Sequence, residues 1–301
     1  RRIASYLTKT RTNFYRLHSF CSQRTNCQQT LSLAIFLFFM RALIQATFTT
    51  ARNIPMNIYE SDTTISQYLE FHYGDEYFGV PNYPSACVDN CLKFFNDHTS
   101  RRALDLGCSV GRATFEFAKH FAHVDGVDFS AQFIQHAITL QEEGCIRFTV
   151  KTEGDLVEHK EITLAALGYD SLKTRLHFTQ GDACDLKPEY KDYNLIFCGN
   201  LIDRLYDPAL FLKTIHQRLS PNGFLVLTSP YTWLEEFTEK DKWLGGRLQN
   251  GKNQTTLEGL KMCLTPRFTL QEVKDLPFVI RETQRKFQHC VAEMSVWQGT
   301  Q

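Results

Sequence analysis

Between residues 102 and 229, short apolar runs alternate with stretches in which apolar residues return every three or four positions. That rhythm predicts strands alternating with amphipathic helices. The run at 102–106 (RALDL) is the first strand; it breaks into a turn of small residues bracketed by Gly107 and Gly111, and Phe115, Phe117, Ala118 and Phe121 then predict a helix. A second strand at 124–128 ends on Asp128, and Ser130 reads as the N-cap of a helix over 130–143. Further strands are predicted at 175–180, 193–199 and 224–228. The run at 193–199 (YNLIFCG) is nearly all apolar, as a central parallel strand requires. Residues 201–219 read as an amphipathic helix interrupted at Pro208 and closed by a Pro221-Asn222-Gly223 turn. Five parallel strands with helical crossovers predict an α/β fold. The tail alternates at 278–283 and again at 286–297, which predicts a hairpin that closes the sheet with antiparallel strands.

Three stretches break the rhythm. Residues 68–83 (YLEFHYGDEYFGVPNY) crowd aromatic rings around two glycines and a proline, a pattern read as a lid or an edge rather than a core helix. Its tyrosines 68, 73, 77 and 83 join apolar rings to hydroxyls, a mix suited to covering a ligand or to packing. A helix over 85–97 follows, with Ala86, Cys87, Cys91, Leu92 and Phe95 apolar. Residues 148–172 read as an insertion: a strand at 148–151, an exposed EGDLVEHKE stretch, then a helix through Leu167. The first 59 residues are basic, rich in Thr, Ser and Gln, and carry an apolar run at 31–40 that is half a membrane span and is followed by Arg41. They read as an extension that also fits a targeting segment. Residues 60–301 read as the domain proper, with no membrane contact.

Charge sharpens this division. The chain has 33 basic and 33 acidic residues, but residues 1–59 hold eight Lys and Arg and no acid, leaving 25 basic against 33 acidic in the remaining 242. A body of that sign lacks the basic footprint of a nucleic-acid binder and favours a small acceptor. The ten cysteines are scattered through apolar patterns, which predicts reduced thiols and a cytoplasmic setting. Cys87 and Cys91 share a helix face without further Cys or His partners, so packing rather than a metal is expected of them.

The candidate chemistry gathers at predicted strand ends. A glycine-rich strand-to-helix turn lets a ligand approach the backbone and offers it unpaired N–H groups. Asp128, at the end of the second strand, is placed to accept from both hydroxyls of a ribose. Asp182 ends the third strand and can accept from an adenine amine or cap a turn. Gly199-Asn200 ends the fourth, where a group would face a transferred methyl. Gly107, Ser109 and Gly111 occupy alternate positions, closer to an E/D-x-G-x-G-x-G turn than to a pyrophosphate cradle.

Together these residues resemble a class I S-adenosylmethionine-dependent methyltransferase, and more narrowly the C-terminal methyltransferase domain of ovothiol synthase, the 4-mercaptohistidine N-methyltransferase family. The likeness spans about residues 60–299 and rests on FHYG and GVPNYP within 71–84, RALDLGCSVGR at 102–112 and GVDFS at 126–130. It continues through QGDACDLKP at 180–188, NLIDRLYDP at 200–208, LTSPYTWLEEFT at 227–238, WLGG at 243–246, PFVIRETQRKFQH at 277–289 and Trp297.

The resemblance implies a Rossmann-like fold, a seven-stranded, mostly parallel sheet with helices on both faces and a C-terminal antiparallel hairpin. It implies S-adenosyl-L-methionine as cofactor, with Asp105, Gly107, Cys108, Ser109 and Gly111 at the methionine end, Asp128 and Phe129 at the ribose, Asp182 and Ala183 at the adenine, and Tyr73 as cover. Asn200, Tyr231, Trp233 and His289 form the expected catalytic, acceptor-facing set, with no metal. Glu235, Glu236, Arg204 and Arg281 are candidate partners for an amino-acid acceptor's charged ends.

The implied reaction is methylation of an imidazole nitrogen of 5-thiohistidine. Bifunctional family members also carry an iron-dependent sulfoxide synthase with an H-x-x-x-H-x-E motif; the motif is absent from this sequence, so the resemblance implies the methylation half alone. Beginning on Arg, the chain reads as a stand-alone enzyme or a piece of a longer one. The competing readings are a methyltransferase for another small molecule, a non-catalytic cofactor-binding subunit or sensor, and a nicotinamide oxidoreductase.

Overall fold

The computed structural model describes residues 58–95, 101–249 and 251–300. The chain divides into two units, Arg1–Met56 and Asn57–Gln301, and the described residues lie in the second. The expectations for the N-terminal extension lie outside the described residues.

In chain order the second unit contains helix α1 (Asp62–Tyr73), helix α2 (Tyr83–Leu92), strand β1 (Arg102–Leu106), helix α3 (Arg112–Ala118), strand β2 (His123–Asp128) and helix α4 (Ala131–Glu143). Strands β3 (Cys145–Lys151) and β4 (Val157–Thr163), the one-turn helix α5 (Leu164–Leu167), and strands β5 (Leu176–Gln180) and β6 (Tyr193–Gly199) follow. Helix α6 (Pro208–Thr214), strands β7 (Leu219–Ser229), β8 (Arg247–Gln249) and β9 (Lys252–Gln254), helix α7 (Thr256–Leu264), and strands β10 (Phe268–Arg281) and β11 (Phe287–Gly299) complete it.

Seven strands form one sheet in the order β10-β11-β7-β6-β1-β2-β5. The pairs β7–β6, β6–β1, β1–β2 and β2–β5 are parallel, and β11 joins β7 and β10 antiparallel. This is the Rossmann-like fold with its closing hairpin. Because β1 and β6 are buried on both faces, they are mostly apolar, which is why the sequence pattern located them. One face is covered by α1–α4, with Cys87, Phe115, Phe121 and Leu140 in its core. The other is covered by α6 and α7, where Phe211, Leu212 and Leu260 pack with Trp297.

Polar caps fix where the helices begin. The side chains of Ser61, Asn82 and Ser130 accept from Thr64, Ser85 and Phe133 N–H groups respectively, removing orphan donors at each first turn. The cap at Asn82 starts α2 two residues before the expected helix. Gly144, at φ +78°, ends α4.

Four expectations are corrected. The first half of the supposed irregular lid is helix α1, whose Ile65, Leu69 and Tyr73 face the core. The supposed exposed stretch in the insertion is β4, paired antiparallel with β3 over seven residues; its polar positions face outward and only Ile162 is buried, so the hydrophobic signal is faint. Pro221-Asn222-Gly223 does not end a helix but lies within β7, where Asn222 takes φ +59° and the register with β6 shifts between Tyr193 and Leu195. The amphipathic 201–219 stretch contains only seven α-helical residues, flanked by 3-10 turns at Ile202–Arg204 and Ile215–Arg218.

Gly111 tests how tightly the turn after β1 is packed. Its φ is +90°, and an added Cβ would stand 2.6 Å from the Phe178 ring. Gly111→Ala is expected to cost about 2–5 kcal/mol through left-handed backbone strain and displacement of that ring. The shift in urea midpoint would measure it.

Candidate active site

All parallel strands end at the same edge of the sheet, so the groups just past β1, β2, β5, β6 and β7 meet there. After β1 the chain bends through Gly107 (φ +74°), Ser109 (φ +50°) and Gly111 (φ +90°). The N–H groups of Gly107 and Cys108 both reach the Val127 carbonyl, at 2.8 and 3.2 Å. The next amide, of Ser109, donates to Asp128 Oδ2 at 2.8 Å, while Ser130 N–H donates to Oδ1 at 2.9 Å. Each carboxylate oxygen is thereby held by one amide and retains capacity for another donor. Burial pushes the Asp128 carboxyl up to about 6, against the pull of the Ser130 and Ser109 amides. Ser109 Oγ is enclosed and has no hydrogen-bond partner. Phe129 is 64% exposed beside Asp128.

Asp182 follows β5. Its Oδ1 accepts from Cys184 N–H at 2.8 Å and its Oδ2 from Tyr206 O–H at 3.2 Å, so it does cap the turn at Ala183–Asp185 while keeping its place at the strand end. Ala183 is half-buried beside it.

Asn200 follows β6 at φ +51°. Its N–H bonds the Thr228 carbonyl at 2.9 Å, and its Oδ1 lies 2.9 Å from the Tyr83 hydroxyl and 3.2 Å from Thr228 Oγ1, both donors. With the oxygen committed, the side-chain NH2 of Asn200 makes no hydrogen bond among the described residues. Tyr83 comes from α2, 117 residues earlier, and only its aromatic context in the sequence hinted at a site role.

Four expected site residues sit elsewhere. Asp105 is 1% exposed and accepts from Thr114 Oγ1 at 2.7 Å, bracing α3 beneath the bend; no surface is left for a ligand. Tyr73 is buried and donates to the Val110 carbonyl at 2.8 Å, supporting the bend from outside. The Cys108 thiol is also buried, leaving only backbone at the turn. Trp233 donates through Nε1 to Thr256 Oγ1 at 3.0 Å and stacks on Trp243, packing the loop after β7 against α7. The preference of a large indole for a dry partner explains the misreading.

His289 is not brought to the group either. It stands on the arm of β11 that continues past the last residue pairing with β7, four positions beyond Glu293, or about 13 Å along the strand. Glu235 and Glu236 are exposed in the loop after β7. Arg281 lies with Glu70, Tyr77 and Glu158 in a cluster tying α1 to the β3–β4 and β10–β11 hairpins.

The loops after β6 and β7 are tied together by Asp203, which is fully buried. Its Oδ1 accepts from Ser229 Oγ at 3.0 Å, and its Oδ2 from Arg204 Nη1 at 2.8 Å and Thr232 Oγ1 at 3.1 Å. Ser229 Oγ in turn receives the Tyr231 N–H at 2.9 Å, and Tyr231, held at φ +53°, donates its hydroxyl to Glu293 Oε1 at 2.7 Å. Burial, then Glu293, raises the Tyr231 hydroxyl above its ordinary value.

Across the same edge, Tyr59 stacks on Phe237 with centroids 6.0 Å apart and packs on Tyr68 and Phe133; Arg204 lies over the Phe237 ring. Ser130 Oγ donates to the Tyr59 carbonyl at 3.1 Å, and Ala131 N–H donates to Glu60 Oε1 at 3.0 Å. This strap joins the start of α4 to the loops after β6 and β7.

The sequence pattern of the methyltransferase-domain family matches residues 81–264, from α2 to the end of α7. The chain belongs to this family. Its methyltransferase domain is 26% identical over 160 residues to the carboxy-S-adenosyl-L-methionine synthase of Vibrio atlanticus (strain LGP32), covering 52% of this chain and 55% of that protein. It is 25% identical over 134 residues to the ubiquinone biosynthesis O-methyltransferase of Pasteurella multocida (strain Pm70), covering 44% and 48%. The chain thus spans about half the length of the curated relatives it matches. Among solved structures, a chain from the complex of the Haloferax volcanii Trm112 methyltransferase activator superposes with a TM-score of 0.50 at 14% identity, covering 81% of this chain and 98% of that one.

The family fixes the cofactor as S-adenosyl-L-methionine. The cleft of this methyltransferase domain fits it on two counts. Asp128 retains an acceptor site on each oxygen for vicinal hydroxyls, and Ser109 Oγ lacks a partner among the described residues. No helix among the described residues is long and apolar enough to cross a membrane.

Asp105 makes a prediction about stability. Burial pushes its carboxyl up to about 7 from an ordinary 3.8, partly offset by Thr114. Between those values the folded chain holds more protons than the unfolded one, so stability falls as pH rises from about 4 to about 7, by up to about 1.4 kcal/mol per pH unit. Asp105→Asn keeps an acceptor for Thr114 and is expected to reduce that fall, which urea midpoints at pH 5 and pH 7.5 would reveal.

Proposed function

We propose that this chain transfers the methyl group of S-adenosyl-L-methionine to a ring nitrogen of 5-thiohistidine, the methylation half of ovothiol biosynthesis. The observation carrying the methyl-transfer reading is the convergence of the glycine bend, Asp128, Asp182 and Asn200 at the carboxyl ends of four neighbouring strands. The names of the two curated relatives, a carboxy-S-adenosylmethionine synthase and a ubiquinone O-methyltransferase, support a small acceptor. The SPYTWLEE and PFVIRETQRKFQH blocks support thiohistidine in particular. The acidic balance of residues 60–301 favours neither nucleic acid nor another polyanion.

When bound, the cofactor supplies an electrophilic methyl on a good leaving group, so the protein's share is largely alignment, a contribution of roughly 7–11 kcal/mol. In this reading Asp128 takes both ribose hydroxyls on its free lone pairs. Asp182 receives the adenine amine, with Ala183 beside it, and the exposed Phe129 ring covers the base. The Ser109–Gly111 backbone and Ser109 Oγ meet the methionine end. Asn200, its oxygen anchored by Tyr83 and Thr228, offers its NH2 donors toward the acceptor. Tyr59, Tyr68 and Phe237 close the mouth and exclude water.

Asp128→Ala removes two hydrogen bonds to a charged acceptor, each of about 1.5–3 kcal/mol. S-adenosylhomocysteine should therefore bind the variant about 10²-fold or more weakly by calorimetry, and loss of the Ser109 and Ser130 hydrogen bonds should lower the melting temperature as well. Purified protein given labelled cofactor and 5-thiohistidine should yield N-methylated product by mass spectrometry. Unchanged cofactor affinity would remove Asp128 from the site, and absence of product would end the thiohistidine assignment.

A further inference from the structure

Glu293 lies outside the sequence motifs, and its pairing with Tyr231 is not used by the cofactor grip. Glu293 enters from β11, opposite Ser229 in the ladder, at the level of the edge where β7 ends. Asn200 ends β6, the next strand along, with its N–H on the Thr228 carbonyl. Neighbouring strands lie about 4.8 Å apart, so Glu293 and Asn200 stand roughly 10 Å apart, on either side of the end of β7.

The placement is enforced at a cost. Tyr231 is not glycine, yet it is held at φ +53°, a conformation that costs on the order of 1 kcal/mol or more and persists only where surroundings impose it. The buried Asp203 imposes it: the carboxylate holds Ser229 Oγ, and Ser229 Oγ holds the Tyr231 N–H. The result aims the Tyr231 hydroxyl at Glu293 Oε1, 2.7 Å away, and fixes the rotamer of the carboxylate. Glu293 Oε2 makes no hydrogen bond among the described residues. An oriented carboxylate with one oxygen fixed and one free is suited to a single N–H donor.

We infer that Glu293 is the acceptor's proton-taking residue, positioned by Tyr231 and recognising the N–H of an imidazole-type ring. The inference rests on the azole-methylation reading above. A neutral imidazole carries a lone pair on one nitrogen and a proton on the other. Glu293 Oε2 accepts from that N–H, which selects the tautomer whose lone pair faces the methyl group. The nitrogen–carbon bond forms from the ring lone pair as the carbon–sulfur bond breaks with its electrons on sulfur; the positive charge left on the ring is discharged when its N–H proton passes to Glu293 and then to water. The pairing also discriminates: an oxygen or sulfur nucleophile without a second ring N–H would leave Glu293 unsatisfied.

The test combines binding and turnover. 5-Thiohistidine is titrated by calorimetry into the full chain saturated with S-adenosylhomocysteine, and methylation is measured in parallel, for the parent chain, Glu293→Gln and Tyr231→Phe. Glu293→Gln should weaken thiohistidine binding at least tenfold and lower kcat about 10²-fold or more, the usual scale for losing a positioned base, with S-adenosylhomocysteine affinity unchanged. Tyr231→Phe, which leaves the carboxylate in place but unfixed, should weaken acceptor binding several-fold with a smaller loss of kcat. Acceptor affinity and kcat within twofold of the parent in Glu293→Gln would overturn the assignment and leave the proposed function standing. If Glu293→Gln also loses S-adenosylhomocysteine binding, and so has misfolded, an unchanged Tyr231→Phe overturns it instead. A parent chain that binds S-adenosylhomocysteine but neither binds nor methylates thiohistidine overturns both.

Discussion

The site depends on the way one carboxylate is shared between two amides. Asp128 ends β2, and its two oxygens receive N–H groups from the bend after β1 and from the start of α4. A carboxylate so bracketed cannot rotate without losing hydrogen bonds worth about 1.5–3 kcal/mol each. The bend, the second strand and the capped helix therefore move as one piece. Asp105 secures the same piece from below through Thr114, and Tyr73 secures it from outside through the Val110 carbonyl. Residues that looked like ligand contacts in the sequence are thus the frame that keeps the contacts still.

A second frame lies at the loops after β6 and β7 and uses the same device. Asp203, fully buried, accepts from Ser229, Thr232 and Arg204, so the chain leaving β7 has one available path. Burying a carboxylate is costly unless it is paired and hydrogen-bonded, and here it is both. The two frames meet at Asn200, whose backbone and side chain are both tied to Thr228.

What was legible in the sequence follows from how each feature is encoded. Strands β1 and β6 announce themselves because two buried faces leave them mostly apolar, and Asp128, Asp182 and Asn200 were found because each stands at or just past the end of a strand. Helix α1 was hidden by aromatic crowding, and β4 by a pattern with a single buried side chain. Asp203 and Glu293 carried no local signal, and Tyr83 only its aromatic context. Tyr83 meets Asn200 across 117 residues and Glu293 meets Tyr231 across 62, and such contacts are set by strand order rather than by spacing. Trp233 failed in the opposite sense: its motif was legible, but its indole is spent on Thr256 and Trp243.

The long hairpin of β10 and β11 separates two tasks along the chain. Under the proposed function, contacts to the nucleoside come almost wholly from residues 107–183, whereas Glu293 comes from β11, joined to the parallel strands through β7. On that reading, substitutions along the distal arm would reshape what is methylated while leaving the donor's seat untouched. The architecture would then allow a lineage to exchange acceptors without relearning how to hold the donor.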